Sequence, residues 1–127
     1  MINRLRTSKE AKNILEQLNG YLNMSSNAIV LRYAMALSLL HPINIKDDDS
    51  VIIKDTSGFE ITRQTLFGNN ETVYKALMGA TTLDDSEFFP NLTNLHIQRG
   101  LNLLLNEYKY CGNKEKTLKE LIRKYID

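Results

Sequence analysis

The segment from Ala28 to Leu40 constrains this chain more than any other. It reads Ala-Ile-Val-Leu-Arg-Tyr-Ala-Met-Ala-Leu-Ser-Leu-Leu, follows the candidate caps Ser25 and Ser26, and is stopped by His41-Pro42. A helix of this composition is apolar nearly all round and must be covered on every side. It is too short to cross a bilayer, and it carries Arg32. A chain of 127 residues is expected to form one domain, whose other short helices cover such an element poorly. Two solutions are open: a central core helix within one protomer, or burial against a second copy. The second copy is the simpler, so an oligomer is expected.

The rest of the chain supplies shorter elements. Ile2 to Thr7 alternates like a strand, with Asn3, Leu5 and Thr7 on one face and Ile2, Arg4 and Arg6 on the other. Ser8 caps a helix whose apolar positions Ala11, Ile14, Leu15, Leu18 and Leu22 recur at helical spacing, with Gly20 expected to end it. Asn44 to Ser50 is an acidic loop, and Val51-Ile52-Ile53 with Phe59-Glu60-Ile61 suggests a small hairpin around Asp55-Thr-Ser-Gly58. A helix is expected from Glu71 to about Met78, and a long one from about Asn91 to Tyr108 with Pro90 in its first turn. Gly100 inside that helix costs stability relative to Ala and marks a close crossing. Lys114 to Ile126 reads as an amphipathic helix with Leu118, Leu121, Ile122 and Tyr125 on its apolar face.

The expected fold class is therefore mainly α, oligomeric, with a ribbon-helix-helix-like N-terminal half and additional packed helices. A single domain over 1–127 divides into that unit (1–40), a stretch of loop, hairpin and helices (41–108), and a basic C-terminal helix (109–127) that reads as an extension. Strand, Ser-capped helix, turn and very apolar helix is the order of a ribbon-helix-helix unit. In such units two copies pair their strands into a ribbon that fits the major groove. The reading gives both the lone strand and the apolar helix a partner; surface arginines on a frayed end are the alternative.

Searching for chemistry excludes more than it finds. His41 and His96 have no partners at metal-ligand spacing. His41 fits a helix C-terminus, and His96 a packing or hydrogen-bonding role. Asp47-Asp48-Asp49-Ser50 lacks the alternation, glycine and closing glutamate of a calcium loop. Cys111 is the only cysteine, beside Gly112, and reads as an ordinary thiol near a helix end. No phosphate loop, dinucleotide fingerprint or nucleophile elbow is present. No enzyme activity, cofactor or metal is expected. The N-terminal Met-Ile-Asn-Arg-Leu-Arg carries no apolar leader, so a cytoplasmic location and no membrane partner are expected.

Net charge is only +1, but its distribution is uneven. Residues 1–40 carry five basic against two acidic side chains, and 109–127 six against three, around an acidic middle. A local basic face can hold phosphate even when the whole molecule is near neutral.

Five segments, Arg4-Leu-Arg-Thr-Ser-Lys-Glu-Ala11, Ala34-Met-Ala-Leu-Ser-Leu39, Gly58-Phe-Glu-Ile-Thr-Arg-Gln-Thr-Leu-Phe-Gly68, Tyr74-Lys-Ala-Leu77 and His96-Ile-Gln-Arg-Gly-Leu101, in this order resemble the DndE family of DNA sulfur-modification (phosphorothioation) proteins. They span about residues 4–105, and the helix after Cys111 lies outside them. The resemblance implies an accessory protein of a bacterial system that replaces a non-bridging phosphate oxygen of DNA with sulfur. It implies association with DNA and with the modification enzymes, self-assembly into a tetramer, and no catalytic residues. On this reading Arg4, Arg6, Lys9 and Lys12 are the first candidates for phosphate contacts, binding DNA backbone with little sequence preference. Arg63 and Arg99 stand behind them, with ion pairing to the acidic middle as their alternative role. A scaffold for the modification enzymes and a ribbon-helix-helix transcriptional regulator are the competing functions.

Overall fold

The computed structural model describes residues 1–24 and 26–125, and for Ile122 and Tyr125 the backbone alone. The cap expected at Ser25, the helix end at Ile126 and the facing of Ile122 and Tyr125 lie outside the described residues. The elements in order are β1 (Arg4–Arg6), α1 (Lys9–Leu22), α2 (Asn27–Leu40), a 3-10 turn (Ile45–Asp47), β2 (Glu60–Thr62), α3 (Arg63–Phe67) and α4 (Glu71–Leu77). A π-type turn (Glu87–Leu92) then leads into α5 (Thr93–Cys111), and α6 (Lys114–Tyr125) ends the fold.

Helix α1 forms as its pattern requires. Ser8 Oγ accepts from the Ala11 amide at 3.0 Å, and the five apolar positions of the stripe are all buried. Gly20 does not end it. The helix runs on to bury Leu22 completely and closes at Asn23, which takes the left-handed conformation (φ 50°). Helix α2 is capped by Ser26 and lies across α5, the longest helix. The crossing is close because Gly100 has no side chain: a Cβ there would sit 1.7 Å from the Ala34 carbonyl oxygen. That contact covers the face of α2 carrying Leu31, Ala34, Met35 and Ser38, all at or near zero exposure. The opposite stripe stays open, with Tyr33 and Leu40 about half exposed, Ala36 exposed and Ile29 half-buried. The sequence's two solutions thus divide one helix between them: a central core element on one side, an uncovered apolar face on the other.

The strand β1 has its partner within the chain, which corrects the expectation that it must pair with a second copy. It runs antiparallel to β2, with Arg4 opposite Thr62, Leu5 opposite Ile61 and Arg6 opposite Glu60. Leu5 and Ile61 both face inward and are buried, so their cross-strand contact fixes the register. The ladder continues through Thr7 N–H to Phe59 O and Gly58 N–H to Thr7 O, both 2.8 Å. Gly58 is required there, since a Cβ would meet the Ser8 carbonyl oxygen at 2.1 Å. The expected hairpin between 51–53 and 59–61 is therefore absent. Phe59-Glu60-Ile61 alternates to match β1, whereas Val51-Ile52-Ile53 forms no strand and leaves Ile52 exposed.

The regular part of α5 begins at Thr93, later than expected. Phe89 takes an extended conformation (φ −133°, ψ 117°), the Phe89–Pro90 peptide is cis, and Phe88 and Phe89 are fully buried against Phe67. Helix α6 returns along α5 after Gly112 (φ 85°) and is tied by Lys124 Nζ to Glu107 Oε2 at 2.9 Å. Among the described residues no helix is long and apolar enough to cross a membrane.

The α2–α5 crossing gives a direct test. Gly100→Ala forces two backbones apart and is expected to destabilise the fold by about 2 kcal/mol or more, read as a lower denaturant midpoint.

Candidate nucleic-acid interface

The six basic residues expected at phosphate fall into two groups. Arg4 and Arg6 alternate outward from β1 because Leu5 between them points into the core. Their side chains are 67% and 52% exposed, and they share one carboxylate, Glu60, at 3.4 and 3.3 Å. Such exposed pairs contribute little to stability and exchange readily with other anions. β1 leads through Thr7 and Ser8 directly into α1, where Lys9 and Lys12 are exposed. The Lys9 amide is held by Asp55 Oδ1 at 2.8 Å. Two side chains of α5 fix this junction: Asn94 donates to the Arg6 carbonyl (3.2 Å), and Ser8 Oγ donates to Gln98 Oε1 (2.6 Å). The basic strand is thus a rigid surface seated on the main helix.

Arg63 and Arg99 are not part of that surface. Arg63 is buried, with both terminal nitrogens on Asp85 (2.9 and 2.6 Å), Nε on Glu71 and Nη1 also on the Ile2 carbonyl. Its guanidinium also lies 5.0 Å from the Phe89 ring centre. The hydrogen bond from Arg63 holds the Asp85 carboxyl below its usual range, against the effect of desolvation. Arg99 is equally buried. Its Nε donates to Ser38 Oγ (2.9 Å), Nη2 to the Ser38 carbonyl (2.6 Å), and Nη1 to the Ile43 carbonyl (2.7 Å) and Asp48 Oδ2 (3.3 Å). Both arginines pair with the acidic middle of the chain, their alternative role. A phosphate would reach them only by displacing these partners.

Sequence reasoning gave no role to Glu60, the carboxylate shared by Arg4 and Arg6, nor to Arg32. Arg32 donates to the Thr65 and Leu66 carbonyls (2.9 and 3.0 Å) and so caps the carbonyl end of α3. Glu60 was findable as the one acidic position in a strand whose alternation matches β1; Arg32 had no local signal. Asp48, read as part of a solvated acidic loop, accepts from Ser50 and Arg99, and its carboxyl is held low chiefly by the Ser50 hydroxyl. Cys111 is a free thiol at the end of α5, pushed up by desolvation and by Glu107. Among the described residues no group of three His, Cys, Asp or Glu side chains is placed to hold a metal.

His96 is 4% exposed and bonds Ser38 Oγ through Nδ1 at 2.7 Å. Burial, and secondarily the charge of Arg99, push its pKa down to about 4.

Fold and surface together define a small, mainly helical protein that presents a basic two-stranded ribbon. The family model for DNA sulphur modification protein DndE matches residues 4–111, and the chain belongs to that family. No curated protein matches the sequence. Among solved structures the chain is similar to DndE from Escherichia coli B7A, described as involved in DNA phosphorothioation modification. The two are 18% identical with a TM-score of 0.63, over 80% of this chain and 96% of that one. That likeness concerns the fold. Helix α6 lies beyond the family match.

Two outcomes are expected from the buried groups. His96 is depressed on folding, so its contribution is fully present above pH 6.5 and lost as pH falls toward 4. The loss is about 3 kcal/mol, measurable as denaturant midpoints across that window. Arg63→Met leaves Asp85 and Glu71 without their partner and is expected to lower stability by about 2 kcal/mol, discounted for the partial exposure of both carboxylates.

Proposed function

We propose that this chain is a non-catalytic DNA-binding accessory subunit of a DNA phosphorothioation system. The observation that carries the reading is the pair of outward arginines on β1, backed by a single carboxylate and continuous with Lys9 and Lys12. Membership of a DNA sulphur modification family supports it. Arg4 and Arg6 hold backbone phosphates by displacing Glu60, and Lys9 and Lys12 extend the contact. Contacts of this kind position a protein without reading sequence. Arg63 and Arg99 serve the fold instead.

The subunit self-associates through the open face of α2, where Ile29, Tyr33, Ala36 and Leu40 form a stripe at helical spacing. A tetramer of such protomers would repeat the ribbon on a shared surface. The same stripe favours the scaffold reading as second choice, with the modification enzymes as its occupants. A regulator built on an intermolecular ribbon has less support, because β1 is already paired in cis.

The test is binding to random duplex at several salt concentrations. Affinity is expected to fall steeply with salt and to be indifferent to palindromes. Arg4→Ala with Arg6→Ala is expected to weaken binding about tenfold and reduce the salt slope, with light-scattering mass unchanged. Glu60→Gln, which frees both arginines, is expected to tighten it. Affinity unmoved by all three substitutions would remove the ribbon from the interface.

A further inference from the structure

The chain carries a second polar feature, distant in sequence from the ribbon and independent of the reading above. At the carbonyl end of α2 lies a pocket of about 260 Å³, floored by His96 and Arg99 and walled by the 41–45 loop and Met78. Among the described residues no acidic side chain lines it.

The hydrogen bonds determine what this pocket offers. Arg99 Nε can only donate, so Ser38 Oγ accepts from it. The Ser38 hydroxyl is fully buried and has one other partner, His96 Nδ1, to which it must donate its proton. The neutral His96 ring therefore carries its own proton on Nε2. That nitrogen bonds no atom of the described residues, although His96 is more than nine-tenths buried, and it is not sealed from solvent. His96 lines the pocket. His41, on the rim, is oriented alike: its Nδ1 accepts from the Ile43 amide at 3.2 Å, leaving the proton on Nε2. In these tautomers neither ring presents a lone pair at Nε2.

Two acceptors beside the floor, the Ser38 and Ile43 carbonyls, are occupied. Arg99 takes the Ser38 carbonyl, which blunts the negative end of the α2 dipole, and the Ile43 carbonyl of the loop that follows. Asp48 stands outside the lining, with Oδ1 engaged by Ser50 and Oδ2 by Arg99. The charge that His96 feels is that of Arg99. A solvent-reaching donor on a buried residue, under a positive field and away from free carboxylates, fits an acceptor-rich guest.

We propose that this pocket binds a small tetrahedral oxyanion of the phosphate type, with His96 Nε2–H as its principal donor. The volume accommodates one such anion with part of its hydration shell. The anion is either free or a phosphate group of bound nucleic acid.

The test follows the histidine ring nitrogens of the full ¹⁵N-labelled chain in long-range ¹H–¹⁵N spectra. Inorganic phosphate, sodium chloride at matched ionic strength, and a short duplex are added in separate arms. A saturable shift of His96 Nε2 with phosphate and not with chloride supports a free ligand. The same shift with duplex alone assigns the anion to nucleic acid. Calorimetric phosphate affinity is expected to fall about tenfold or more in His96→Phe. It is expected to be unchanged in Lys54→Ala, an exposed cation outside the pocket lining and the ribbon. No shift in either arm, or one that chloride reproduces, overturns the proposal. The wild-type titration stands whether or not His96→Phe folds.

Discussion

The contact on which the molecule depends is the crossing of α2 over α5. Gly100 lets the Ala34 carbonyl approach a helix surface at a distance no side chain would permit. On the same face, one turn away, Arg99 and His96 grip Ser38 from below. Backbone proximity and a buried polar network thus hold α2 and α5 together. The network also reaches past α2, because Arg99 bonds Ile43 and Asp48 and so anchors the loop that follows. A buried arginine is tolerable only when its donors are matched in this way.

From that crossing α5 organises the rest. Gln98 meets the cap of α1, Asn94 meets the end of β1, Thr93 Oγ1 closes on the Phe88 carbonyl at 2.8 Å, and Glu107 receives Lys124 from α6. Four polar residues of one helix therefore reach four different elements. The exposed arginines of the ribbon owe their fixed direction to this arrangement as much as to the strand pairing. Arginine plays two opposed parts in this chain. Buried copies are saturated by carboxylates and carbonyls, while those on β1 share a single exchangeable partner.

Much of the local structure was legible. The stripe of α1, its Ser8 cap, the close approach at Gly100, the break at Gly112 and the span of α4 all follow from period, caps and glycine placement. Failures came where distant residues decide. Nothing near Gly20 reveals that Leu22 has a buried site to fill, so the helix outlasts the glycine. The partner of β1 lies more than fifty residues away, and only the matching alternation of Leu5 and Ile61 hints at it. The basic candidates were legible as charges but not as positions. Arg63 and Arg99 look like Arg4 and Arg6 in a sequence; burial and fixed donors separate them, and both are tertiary properties. The family resemblance supplied the link to sulfur modification, which neither charge nor spacing carries.

The ribbon's pairing has a consequence for how the protein comes into being. Leu5 meets Ile61, so nearly half of the chain must leave the ribosome before the first strand has anything to pair with. Closing so long a loop is entropically slow and needs the intervening helices to have begun packing. Until then Arg4 and Arg6 sit on a loose segment with no fixed orientation. The binding face is consequently a late product of folding, and a nascent fragment ending before Glu60 would carry the charge without the surface.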